Sequence, residues 1–332
     1  MTIMKTSMTS HTSKTKMLCT AGAFLVFALA VASLLIGKYP LSVSRLLSGD
    51  EMQLRVFFTL RLSRTAVGII GGFALGIAGF VYQTVFRNPL ASPDIIGVSS
   101  GASAGAAFGI LFLSGSAFIT LSSFIGAIIA VVLSLALSCL DRNAKNSSIV
   151  LAGIAVHSLA QTALMCLKLT ADPERELASI EYWIMGSLNG ISSSSIGGNL
   201  ILSVICILVL FLLHRQIVLL SANEEEARML GVRVGQLRLI VLLLATLVVS
   251  SIVSLSGLIS FVGLVAPHSA RMLTKRNNTS TMLLSGLIGS IVLCCADIFA
   301  RSAASELPVS IFTSLIGAPF LIFLIIRERG EQ

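Results

Sequence analysis

Ten apolar runs, each close to the length of a bilayer crossing, divide this sequence of 332 residues. They cover approximately 18–36, 64–85, 94–113, 117–139, 148–168, 196–214, 238–256, 258–271, 282–300 and 308–326. A helix needs about 20 apolar residues to cross the hydrocarbon core. Only closed backbone hydrogen bonding survives there, because no water satisfies stray N–H and C=O groups. The repetition therefore predicts an all-α polytopic membrane protein with about ten transmembrane helices. Composition agrees. The chain is 55% hydrophobic and only 11% charged, against about 25% charged in an ordinary soluble domain. That shortage of charged surface excludes a soluble enzyme, a disordered chain and a disulfide scaffold. The six cysteines lie in or beside apolar runs without CxxC spacing, so they read as small buried hydrophobes and not as a metal site.

The predicted organisation is a polar tail at 1–17, one transmembrane domain over 18–327 and a short tail at 328–332. The first apolar run is long enough to be an uncleaved span and not a signal peptide. With the N-terminus placed inside, 15 of the 23 lysines and arginines fall on inner segments and 8 on outer ones. That bias puts both termini in the cytoplasm and explains the net charge of +8 without nucleic acid. The outer remainder is concentrated. Arg61 and Arg64 stand at the mouth of the second span and Arg301 at the end of the ninth. Asp297 and Arg301, spaced i and i+4, can pair on one helix face, which leaves Arg301 directed at the outer surface.

Two loops carry character of their own. The outer loop 169–195 holds Tyr182 and Trp183 and has room for a short helix. The inner loop contains Asn223, then Glu224, Glu225 and Glu226, then Ala227, Arg228, Leu230, Gly231 and Val232. A cap-like Asn before acidic residues, with Gly behind, predicts a short helix over about 222–232. It is either a solvated connector or a docking surface for a soluble partner.

Polar residues inside the spans are scarce enough to be informative. His157, with Gln161 one turn on and Gly153 one turn back, forms a polar and small stripe on the fifth span. Such a stripe either hydrogen-bonds a neighbouring helix or lines a path through the membrane. Gln83 and Lys168 pose the same alternatives. Arg87-Asn88-Pro89-Leu90-Ala91-Ser92-Pro93-Asp94 is a rigid, non-helical turn because of its prolines. In it Asn88 caps locally and Asp94 caps the third span. No Walker A sequence is present, so any ATP must be bound by another chain. Carboxylates near span ends are limited to Asp94, Asp297 and Glu306, which weighs against a proton- or sodium-coupled carrier. Gly97-Val98-Ser99-Ser100-Gly101 formally matches a nucleophile elbow, but it opens an apolar helix, so an intramembrane protease is a remote alternative.

Together these motifs resemble the permease subunits of type II ABC importers for iron–siderophore complexes, haem and cobalamin, the FecCD family. Leu60-Arg61-Leu62-Ser63-Arg64-Thr65 is similar to the family's Leu-Arg-Leu-Pro-Arg-Thr, with Ser63 in place of proline. Arg87-Asn88-Pro89-Leu90-Ala91 and Gly97-Val98-Ser99-Ser100-Gly101-Ala102 resemble its second signature. Tyr182-Trp183-Ile184-Met185-Gly186-Ser187, Gly263-Leu264-Val265-Ala266-Pro267-His268 and Leu315-Ile316-Gly317-Ala318-Pro319-Phe320 follow in the expected order. The resemblance runs from about residue 20 to 327.

That resemblance implies the type II ABC importer permease fold, in a bacterial inner (cell) membrane. It implies a second permease subunit, two ATP-binding subunits carrying ATP and Mg on the inside, and a substrate-binding protein outside. This chain itself would bind no cofactor and catalyse no reaction. Arg61, Arg64 and Arg301 would meet carboxylates of the binding protein. The 222–232 helix, with Glu225, Ala227, Arg228, Leu230, Gly231 and Val232, would enter a groove on the ATPase. Asn88, Asn146 and Ser147 would stand near the inner gate, and His157, less typical of the family, would report on the cargo. The implied cargo is a ferric siderophore, with haem or cobalamin as alternatives.

Overall fold

The computed structural model describes residues 2–330 apart from 38, 114, 139, 141–145, 192, 222–228, 230, 232 and 304–305. The side chains of 2–13, 43, 146–147, 193–195, 325 and 327–330 are also outside the description. Thirteen helices and no strands are found among the described residues. They are α1 (Thr2–Leu35), α2 (Val43–Leu47), α3 (Glu51–Val85), α4 (Val98–Phe112), α5 (Ser116–Ser138), α6 (Asn146–Thr170) and α7 (Glu176–Ile184). They continue with α8 (Ser193–Leu212), α9 (His214–Leu219), α10 (Val234–Ser256), α11 (Val262–Thr274), α12 (Thr279–Ser302) and α13 (Val309–Gly330). Every expected span coincides with a helix. Six described helices are long and apolar enough to cross a membrane. The rest are shorter, and α11, with Pro267 inside it, is only 13 residues long.

Helix α3 is the hub. Most of it is buried, while α1 lies almost bare at the periphery. Apolar side chains gain little by leaving lipid for protein, so close backbone contact must hold helices together in a membrane. Gly72 and Gly76 provide it. A methyl group at either would overlap the backbone of α12 at Gly289 or Ser285. Gly79 does the same against Gly263 of α11. Helices α4 and α5 meet through Gly101, Gly105 and Gly126 in the same way.

Two departures from the sequence expectation have local causes. The third span starts at Val98, not at 94. Pro93–Ile96 forms a separate 3-10 turn, and Gly97, at φ +81°, breaks it from α4. Asp94 consequently makes no capping bond to α4. The turn is clamped from both sides. Ser134 of α5 donates to the Ile96 carbonyl at 3.0 Å, and α6 reaches the Ile95 carbonyl closely enough that Gly153 has no room for a Cβ. The second departure is at the start of α3. Asp50 caps that helix by accepting from Met52 and Gln53, and Val56–Arg61 is wound as a π-helix. Arg61, the last residue of that segment, is buried.

Candidate functional site

Three places gather the polar residues: a charge cluster at one end of the bundle, a cavity along α6, and the turn at the far end of α3.

The cluster is built on α3 and α12. The Arg64 Nε donates to Asp297 Oδ1 at 2.8 Å, and its Nη1 to Glu306 Oε2 at 3.3 Å. Arg301 pairs with the other Asp297 oxygen and donates to the Ser33 carbonyl and hydroxyl, both at 2.8 Å. Arg61 donates to the carbonyls of Leu34 at 2.6 Å and Leu35 at 2.8 Å, and to that of Tyr39. Three guanidiniums thus face two carboxylates. The remaining positive charge lies against the last carbonyls of α1, where a helix end is electronegative and lacks donors. The i, i+4 pairing of Asp297 with Arg301 is present, but its expected consequence is corrected. Arg301 does not project outward. It is 4% exposed and Arg61 is 6% exposed, because each guanidinium has enough internal acceptors to be satisfied away from water. A cleft of about 170 Å³, lined by Tyr39, Arg61, Arg64, Asn189, Arg301 and Glu306, opens onto the cluster.

The second place is a cavity of about 380 Å³. Asp94, Ser99, Ser103, His157, Gln161 and Lys168 supply its polar wall. Of the stripe expected on the fifth span, His157 and Gln161 therefore face open space, while Gly153 packs against the Ile95 carbonyl. His157 Nδ1 is buried without a hydrogen-bond partner, which fits a ring turned to a void better than one bonded to a neighbouring helix. Lys168 pairs with Glu181 of α7 at 2.8 Å, so the short helix expected in the 169–195 loop exists and buttresses the cavity. A smaller cavity of about 210 Å³ adjoins it, sharing Asp94, Ser99 and Ser260.

Gln83 is different. Its Oε1 accepts from Arg271 and its Nε2 donates to the Leu264 carbonyl at 3.1 Å. It ties α3 to α11 on either side of Pro267. Arg271 also donates to Thr84 at 3.0 Å and lies 4.9 Å above the Phe80 ring. Sequence reasoning missed Arg271, since an arginine at the end of a span ordinarily points to water.

At the third place α3 ends in a Schellman arrangement. The Arg87 N–H donates to the Thr84 carbonyl at 3.3 Å, and the Asn88 N–H to that of Gln83 at 3.2 Å. The Asn88 Oδ1 then accepts from Leu90 at 2.9 Å, which is the local cap expected of it. Arg87 occupies the position usual for glycine, at φ +50°, where a Cβ costs about 1–2 kcal/mol. Its Nε donates to the Leu220 carbonyl at 3.1 Å, next to the C-terminus of α9. Sequence reasoning also missed this residue, although an arginine where a helix stop calls for glycine is a readable signal.

The remaining expected positions are less informative. Gly231 sits at φ +79°, a helix-stop conformation. Glu225, Ala227, Arg228, Leu230 and Val232 lie outside the described residues. Asn146 and Ser147 fall in the first turn of α6, their side chains likewise undescribed. The Gly97–Gly101 motif opens α4 and forms no strand-to-helix elbow.

Comparison with known proteins agrees with this architecture. Residues 25–327 match the model of the FecCD transport family. The cobalamin import system permease protein of Halobacterium salinarum is 36% identical over 272 residues, covering 82% of this chain and 73% of that one. The Fe(3+)-citrate import system permease protein of Bacillus subtilis is 34% identical over 325 residues, covering 93% and 95%. A solved structure, an inward-facing conformation of a metal-chelate type ABC transporter, superposes with a TM-score of 0.84 at 34% identity, covering 94% of this chain and 99% of that one. The chain belongs to the FecCD transport family, whose members are ABC importer permeases.

Proposed function

We propose that this chain is the permease subunit of an ATP-driven importer that carries a metal chelate, with a ferric siderophore as the favoured cargo. As a FecCD member it is a transport subunit and not an enzyme. The observation that carries the reading is the polar cavity along α6. Hydroxyls, an amide and an imidazole can exchange hydrogen bonds with a hydrated chelate without binding it tightly. Asp297 is neutralised between Arg64 and Arg301, so it is unsuited to proton or sodium coupling, and the energy would come from partner ATPases. Relatives of nearly equal identity are named as permeases of a cobalamin import system in one case and of an Fe(3+)-citrate import system in the other. Haem or cobalamin is therefore the second reading of the cargo.

In the assembled importer a second permease subunit completes the path and two ATP-binding subunits sit at the Asn88 end, which faces the cytoplasm together with both termini. A substrate-binding protein approaches the Arg61 end in a bacterial inner membrane. A carboxylate of that protein enters the cleft over Arg61, Arg64 and Arg301 and displaces Glu306 from Arg64. Glu306→Gln removes this internal competitor and should tighten docking about two- to fivefold, the range of a partly exposed ion pair. Unchanged docking would count against the arginine assignment. The decisive experiment is reconstitution with the neighbouring ATPase and binding protein. Accumulation of radioactive ferric siderophore that needs ATP and the binding protein supports the proposal. ATP-independent uptake by this chain alone would refute it.

A further inference from the structure

Asp94 stands where the two cavities meet. It lines both of them, together with Ser99, Ile259 and Ser260. Its neighbours fix its level in the bundle, since Ile95 and Gly97 lie against Gly153 and His157 of α6. An aspartate just before a span ordinarily caps it. Here Gly97 intervenes, and no side chain caps α4. Asp94 is exposed, and among the described residues its carboxylate makes neither an ion pair nor a hydrogen bond.

The rest of the wall does not cancel this charge. Lys168 is the other charged residue lining the cavities among the described residues. It is held by Glu181 at 2.8 Å and lies about 16 Å beyond His157 along α6. That exceeds the ~10 Å over which a solvated charge acts at ordinary salt. The hydroxyls of Ser100 and Ser103 donate to carbonyls of their own helix end, at 3.1 and 2.9 Å. His157 Nδ1 has no hydrogen-bond partner. The wall thus offers neutral hydrogen-bonding groups and one uncompensated negative charge. Serine or asparagine would supply the same polarity at residue 94, and what aspartate adds is the charge.

We propose that Asp94 selects cargo by charge, admitting cationic and neutral chelates and holding back anionic ones. The inference rests on the transport reading above and narrows its cargo. A ferric trihydroxamate is neutral at the metal and becomes cationic when it carries a free terminal amine, so it fits this wall. A ferric triscatecholate is strongly anionic and haem carries propionates, so both are disfavoured. A cleft with low-dielectric walls focuses the field of its charges, and repelling the wrong ligand contributes to specificity as much as attracting the right one. A single carboxylate attracts a cation without trapping it.

The test reads the field and the transport separately. In the assembled importer, Ser99→Cys or Ser260→Cys places a thiol in the wall. Mass spectrometry then follows its labelling by a cationic and by an anionic methanethiosulfonate of similar size. After correction for the reagents' rates with a free thiol in solution, the cation should react faster. Asp94→Asn should lower the cation-to-anion ratio about tenfold, and Asp94→Glu should keep it. An unchanged ratio in Asp94→Asn at both positions would overturn the proposal, as would thiols that neither reagent reaches. In proteoliposomes, uptake is compared for a ferric trihydroxamate with a free terminal amine and for the same chelate succinylated to an anion, each normalised to the amount the binding protein carries. The preference for the cationic form should fall severalfold in Asp94→Asn, and an equal preference in wild type and variant would also overturn the proposal. If the wild-type importer fails the uptake experiment described above, the transport reading falls, while the labelling ratio still decides the charge of the wall.

Discussion

The two ends of α3 are held by different chemistry. At the Arg61 end, three guanidiniums and two carboxylates close on one another and on the last carbonyls of α1, largely out of water. At the Asn88 end, separate hydrogen bonds do most of the holding, Arg87 to Leu220, Asn88 to Leu90 and Tyr82 to Thr246, beside the contacts of Arg271 with Gln83 and Thr84. A buried multidentate network resists partial disruption, because every lost partner strands a charge. Single bonds break one at a time at about 1 kcal/mol each. One end is suited to holding shape and the other to moving, as an importer that opens alternately to two sides requires.

Asp297→Ala should have the largest effect. It strands Arg64 and Arg301 together and should lower stability by about 3–5 kcal/mol, read as a fall in Tm of the detergent-solubilised chain. A loss under about 1 kcal/mol would show that water already enters the cluster and would dissolve the contrast between the ends. Gly76→Val forces α3 from α12 and should cost about 1–3 kcal/mol by overpacking, again read from Tm. Gln83→Leu leaves Arg271 and the Leu264 carbonyl short of a partner and should cost about 1–3 kcal/mol. That measurement sharpens the comparison, because Arg271 is a half-buried cation near the movable end. Asn88→Ala should be smallest, at about 0.5–1 kcal/mol, while exchange protection of the Leu90 amide falls. A loss as large as that of Asp297→Ala would mean that the Asn88 end is as rigid as the other.

Some of this was readable from sequence and some was not, and particular residues show why. His157 and Gln161 stood out because a polar stripe at helical spacing in an apolar run has few uses, and they do line the cavity. Asn88 was legible as a cap because its partner lies two residues away. Arg301 was misread. Its pairing with Asp297 is local and was foreseen, but the Ser33 acceptors that bury it are 268 residues distant. Gln83 was open between packing and path, and the choice fell to Arg271, 188 residues away. Arg87 drew no special notice because its partner is 133 residues on.

Span number, approximate span limits, the proline-held turn at 87–94 and the polar stripe on α6 are properties of the sequence alone. Bilayer thickness and the need of each backbone to satisfy itself act on consecutive residues, so they leave their mark in consecutive residues. Which arginines face inward, which glutamine braces the proline-containing α11 and which turn touches α9 were decided by tertiary structure. Those outcomes depend on acceptors supplied by helices remote in sequence, and only the packed bundle brings donor and acceptor within 3 Å or so of each other.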